Sequence, residues 1–208
     1  MMSFFNVIAE LQPRGLGYAI LSLIVEDTDI VYIIVDNEEE KEILSEILLE
    51  LKDQFEARRS FSSAISLRDF KVLTADEYYE HWEDYAGKRL IFVKQDRNLK
   101  SPPLDKLALF IESMWRVRSR DPIRRIAMHI VDILLALDVA KEHYRYLKEL
   151  IEKEIKEEDP KRKKDLAKEI ERKRKELISM LEKRFSRKED IDLAYELVSY
   201  LVDRGIIK

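Results

Sequence analysis

The chain has 208 residues, enough for one or two domains with cores of their own, and it is 46% hydrophobic and 38% charged with only four Gly and five Pro. Having no cysteine, it has no disulfides, thiolate catalysis, iron–sulfur clusters or Cys-based zinc sites. The net charge of −4 conceals two unlike halves: residues 1–102 carry 20 Asp/Glu and 12 Lys/Arg, a charge of −8, whereas residues 103–208 carry 22 and 26, a charge of +4. Only three Gln and three Asn accompany the many Lys and Glu, the amide-poor, ion-pair-rich pattern expected of a thermophile. No apolar run approaches the roughly 20 residues of a membrane helix, and the start has neither a basic n-region nor a small-residue cleavage site. The expectation is a cytoplasmic protein with no membrane partner.

In chain order, a short N-terminal helix precedes two apolar runs, Tyr18–Val25 and Ile30–Val35, which read as strands because they are short and rich in β-branched and aromatic residues. Asn37 followed by Glu38, Glu39 and Glu40 supplies a cap and acidic charges at a helix start, and Ile43, Ile47 and Leu51 continue at helical spacing to about Arg58. Residues 64–73 read as a strand, and Thr74 with Glu77 has capping-box spacing. Tyr78–Tyr85 continues as helix, Gly87 ends it, and Leu90–Val93 is a further strand. The Asp121-Pro122 pair opens a long helix in which Ile123, Ile126, Ile130, Ile133, Leu137, Ala140, Tyr144, Leu147 and Ile151 keep 3,4 spacing. Asp159-Pro160 then stops one helix and starts another, and Ser186 with Glu189 caps a last one. The predicted fold is α+β: an acidic, small mixed α/β sheet domain over 1–101, then a basic helical bundle over 102–208 built on a long antiparallel hairpin. The seam over 123–151 also suits a homodimer through helix packing.

Three constellations carry chemistry. Asp27 and Asp29 lie one residue apart at the opening of an apolar strand, and Asp69 lies in a later strand, so the three carboxylates suit a divalent cation such as Mg²⁺ held against phosphates. Asp69 and Lys71, two apart on one strand face, have the D-x-K spacing that resembles PD-(D/E)xK nucleases. Trp115, Arg116, Arg118, Arg120, Arg124 and Arg125 form a cationic cluster beside an aromatic, suited to phosphate contact and stacking on DNA or RNA; the same cluster also suits the acidic half of its own chain. Arg124 and His129 have a spacing that resembles the ribonuclease motif of HEPN domains.

Residues 14–93 resemble the minimal nucleotidyltransferases of the DNA-polymerase-β superfamily. The resemblance rests on the glycines Gly15 and Gly17, the Asp27-Thr28-Asp29 opening of a strand that ends at Asp36, a helix, and a strand carrying Asp69 that finishes in Val-Leu-Thr74. It implies that Asp27 and Asp29 are a metal-binding pair and Asp69 the third carboxylate. In this chain Tyr18 stands where the family has the serine of its Gly-Ser loop, which implies a form without catalysis. The expected function is therefore a nucleic-acid-associated protein with a nucleotidyltransferase-like N-terminal domain. A metal-dependent nuclease and a structural oligomerisation subunit are the alternatives.

Overall fold

The structure is a computed structural model that describes residues 13–25, 28–61, 63–93 and 120–207. By its internal contacts the chain divides into two units, residues 1–132 and 133–208. The division falls within a long helix, and the Pro102–Pro103 region lies outside the described residues.

The first unit is built on a three-stranded sheet in the order β2-β1-β3, with β1 (Ile30–Val35) in the centre, β2 (Asp69–Thr74) and β3 (Leu90–Phe92). Both pairings are parallel, with Ile30 opposite Asp69 and Tyr32 opposite Lys71 on one side and Leu90 on the other. Parallel neighbours require crossovers. Helix α2 (Glu38–Arg58) makes the first, and α3 (Ala75–Glu80) with a 3₁₀ turn at Trp82–Tyr85 makes the second. Val31, Ile33, Val35, Val72 and Ile91 form a fully buried face. On the opposite face the half-buried Tyr32 and Phe92 pack edge-on against Tyr85 and Tyr78, with ring centroids 5.3 and 5.5 Å apart.

The run expected to be the first strand is helical instead: α1 spans Pro13–Val25. Leu16 and residues 18–24 are buried throughout, and a helix buried all round shows an unbroken apolar run that periodicity cannot tell from a strand. Pro13 at the first helical position favours that outcome. The remaining elements of this unit match their start signals. The Asn37 side chain accepts from the Glu40 amide at 2.9 Å, and the Thr74–Glu77 box forms in both directions at 3.2 and 2.8 Å. Gly87 adopts φ 76°, where only glycine is unstrained. The strand expected over 64–73 is shorter, beginning at Asp69.

Helix α4 (Pro122–Lys156) opens with the Asp121 carboxylate accepting from the Arg124 amide at 3.0 Å. In the second unit the later part of α4 pairs antiparallel with α5 (Pro160–Glu182), which is capped by Asp159 onto the Lys161 amide at 2.9 Å. The Tyr146 hydroxyl donates to Glu169 at 3.1 Å across that hairpin. Helix α6 (Lys188–Asp203) also packs on α4: the Tyr144 hydroxyl donates to Asp203 at 3.0 Å and its ring meets Tyr195 edge-on. Burial and the Asp203 carboxylate push the Tyr144 phenol well above its ordinary value. The expected Ser186 cap is not used; Arg187 occupies the cap position without a side-chain bond. Of the 3,4 seam, Ile126, Ile130, Ile133, Leu137, Ala140 and Leu147 are each at most 2% exposed within the single chain.

Candidate functional site

Parallel pairing of β1 and β2 brings the backbones of Asp29 and Asp69 together, with Asp69 in register opposite Ile30. The Asp69 amide donates to the Asp29 carbonyl at 3.0 Å, so both residues stand side by side at the amino edge of the sheet. Asp27, the other half of the Asp-x-Asp pair, lies outside the described residues. Asp36 stands past the far end of β1, roughly 20 Å from Asp29 at about 3.3 Å per strand residue. Asp69 and Lys71 are both exposed, and Lys52 of α2 forms an ion pair with the Asp69 carboxylate. That ammonium occupies the position from which Asp69 would take part in holding a cation. Among the described residues no three His, Asp or Glu side chains gather as a metal-holding group. The expected glycine loop is also replaced: Gly15 and Gly17 fall within α1.

In parallel sheets ligands bind outside the carboxyl ends of the strands, where the strand order reverses. Here that end is acidic. Glu38, Glu39 and Glu40 fill the first turn of α2, and the buried Glu40 carboxylate accepts from the Asp36 amide at 3.0 Å. Beside it Lys41 bridges to Glu77 at 2.6 Å. The Lys41 ammonium and the Thr74 amide hold the Glu77 carboxyl below its ordinary value, and the same bond holds Lys41 above its own. A helix N-terminus already compensated by three glutamates repels phosphate instead of attracting it.

The arginine cluster divides. Trp115, Arg116 and Arg118 lie outside the described residues. Arg124 approaches Glu50 of α2 at 3.8 Å, and Arg58 of α2 pairs with Asp132. The first turns of α4 are thus tied to the acidic unit, as one of the two sequence readings had it for Arg124. Arg120 is exposed and Arg125 half-buried, and His129, next to the seam, is also half-buried.

The strongest concentration of positive charge lies elsewhere, on α5 and the turn after it. Residues 161–188 carry 13 Lys/Arg and 5 Asp/Glu, a local charge of +8. Its sequence signal is the net charge of a 28-residue window, which is more diffuse than the five arginines within ten residues after Trp115. Ile170, Leu177 and Leu181 bury one side of α5, leaving most of the cations on its outer surface.

No protein-family model matches the chain, and neither a curated protein nor a solved structure does.

Proposed function

We propose that the chain is a nucleic-acid-associated protein that binds through its helical unit, and that the α/β unit, nucleotidyltransferase-like in sequence, acts without catalysis. The observation that carries the binding half is the +8 of residues 161–188 on an exposed helix, inside a chain whose net charge is −4. Phosphate neutralisation by Lys and Arg releases counterions and supplies most of the affinity in sequence-independent binding. The helical placement of Gly17 and the Lys52–Asp69 pair support the non-catalytic half. DNA and RNA are both within this reading. Burial of the α4 seam inside one chain supports a monomer over the homodimer.

The test is fluorescence anisotropy with labelled DNA and RNA across a salt series, paired with a melting scan in Mg²⁺ and ATP. Micromolar or tighter binding that weakens steeply with salt is expected, with no melting shift from Mg²⁺–ATP. A shift lost in Asp29→Asn and Asp69→Asn would restore the transferase. Metal-dependent cleavage lost in Lys71→Ala would instead favour the nuclease, for which the shared exposure of Asp69 and Lys71 on one strand is the supporting feature.

A further inference from the structure

The cations of α5 are not scattered. Lys161, Lys164, Lys168, Arg172, Lys175 and Lys183, with Ser179 in the remaining place, follow steps of three and four residues, and every one of them is exposed. Such steps keep to one side of a helix. At 1.5 Å per residue they draw a straight line about 33 Å long. Carboxylates flank the line: Asp165 lies 4.0 Å from Lys168, Arg172 reaches Glu169 and Glu176, and Lys175 reaches Glu171 at 3.5 Å. The ammonium groups of Lys161, Lys164 and Lys183 have no described carboxylate partner.

A helix that needs only solubility alternates its charges, because like charges at i,i+3 or i,i+4 repel and opposite ones attract. Here four successive neighbours are like-charged: 161 with 164, 164 with 168, 168 with 172, and 172 with 175. Beyond the Asp159 cap the first turn of α5 has no acidic residue, so Lys161 and its neighbours lie close to the positive end of the helix dipole. A polyanion lying along the line relieves both repulsions. The large exposed hydrophobic side chains lie outside α5. Single strands are held by aromatic stacking together with charge, whereas a duplex has its bases already stacked and is held through its phosphates. A lipid surface would likewise need apolar side chains to insert.

We infer that this stripe is a track for the phosphate backbone of double-stranded DNA, bound without regard to sequence. Its length matches the roughly 34 Å of one B-DNA turn, which lets a helix laid along the duplex meet backbone on both sides of a groove. The inference rests on the nucleic-acid reading above and adds the surface, the strandedness and the lack of base readout.

The experiment uses the full chain and two charge-matched variants. The track variant is Lys161→Gln, Lys164→Gln, Lys168→Gln and Lys175→Gln; the control is Arg59→Gln, Lys88→Gln, Arg89→Gln and Arg204→Gln, all exposed and outside residues 161–188. Circular dichroism first establishes that both melt as the wild type does. Anisotropy is then measured on a 24-base-pair DNA of two unrelated sequences, on the RNA duplex and on each single strand. The track variant should bind duplex DNA at least tenfold more weakly, with a salt slope shallower by about 3 to 4, while the control stays within threefold of the wild type. The two DNA sequences should bind alike and more tightly than single strands or duplex RNA. Equal losses in both variants, or preference for single strands or RNA, overturn the track while leaving nucleic-acid binding in place. Absence of binding to any of these nucleic acids overturns the broader reading as well, and capture by phosphatidylserine vesicles in its place identifies a lipid surface.

Discussion

At the scale of single residues, Glu77 joins two helix starts. One carboxylate oxygen receives Lys41 at 2.6 Å and the other receives the Thr74 amide at 2.8 Å, so one side chain caps α3 and ties it to the first turns of α2. The Lys41 ion pair needs the ionised form and the Thr74 bond is stronger to it, which is why the carboxyl is held below its ordinary 4.5. A group depressed in the folded state contributes stability that is present above its unfolded value and lost as pH falls through its folded one. The Lys41 ammonium, held above its ordinary 10.5, contributes stability that is present below that value and lost as pH rises through the folded one. Replacing Glu77 by Gln keeps an acceptor for the Thr74 amide but removes the charge. The pair is partly exposed, so the expected loss at pH 7 is modest, about 0.5–1 kcal/mol in urea unfolding. The gap between wild type and Glu77→Gln should be smaller at pH 3 than at pH 7, because it closes as pH falls through the folded value of the carboxyl. An equal gap at both pH values would show that the carboxylate charge contributes nothing.

At the scale of elements, α4 shows what a 3,4 seam does when its partners lie in the same chain. Leu137 is 0% exposed, and so are Ala136 and Ala140 beside it. Leu137→Ala should therefore lower stability by about 2–5 kcal/mol and sediment as the wild type does. A wild type that sediments as a dimer and dissociates in the variant would return the seam to an interchain role. Whether an element could be read from the sequence followed from whether it had an end signal or only an apolar interior. Helix α2 was legible to its bounds because Asn37 and three glutamates mark its start and the apolar spacing runs out at Arg58. The entry of α5 was equally plain from Asp159-Pro160. Helix α1 was not, because burial on every side erases the polar face that distinguishes period 3.6 from period 2. The parallel order β2-β1-β3 was likewise out of reach, since strand pairing depends on crossovers that leave no local mark.

At the scale of the molecule, charge position decides what net charge cannot. At the acidic edge of the sheet, spacing alone singles out Asp29 and Asp69; a backbone bond joins the two residues, while the register sets Asp69 opposite Ile30. The Lys52 partner that neutralises Asp69 comes from 17 residues away on another element, so no local pattern announced it. The stripe on α5 has no dense local signature for the opposite reason: its six cations are spread over 23 residues and become a line only once the helix is wound. Screening confines a charge's influence to about 8–10 Å at ordinary ionic strength. A polyanion in contact with the outer face of α5 therefore responds first to the charges beside it, the +8 of residues 161–188, and not to the chain's total of −4. The consequence is testable on a heparin column at pH 7 and 100 mM salt. A protein of net charge −4 governed by its total should flow through, whereas one governed by its local field should be retained. We expect retention, with elution shifted to clearly lower salt in the track variant and not in the control that removes the same number of charges off the line. Flow-through of the wild type would mean that the acidic half cancels the stripe at the distance of a bound polyanion.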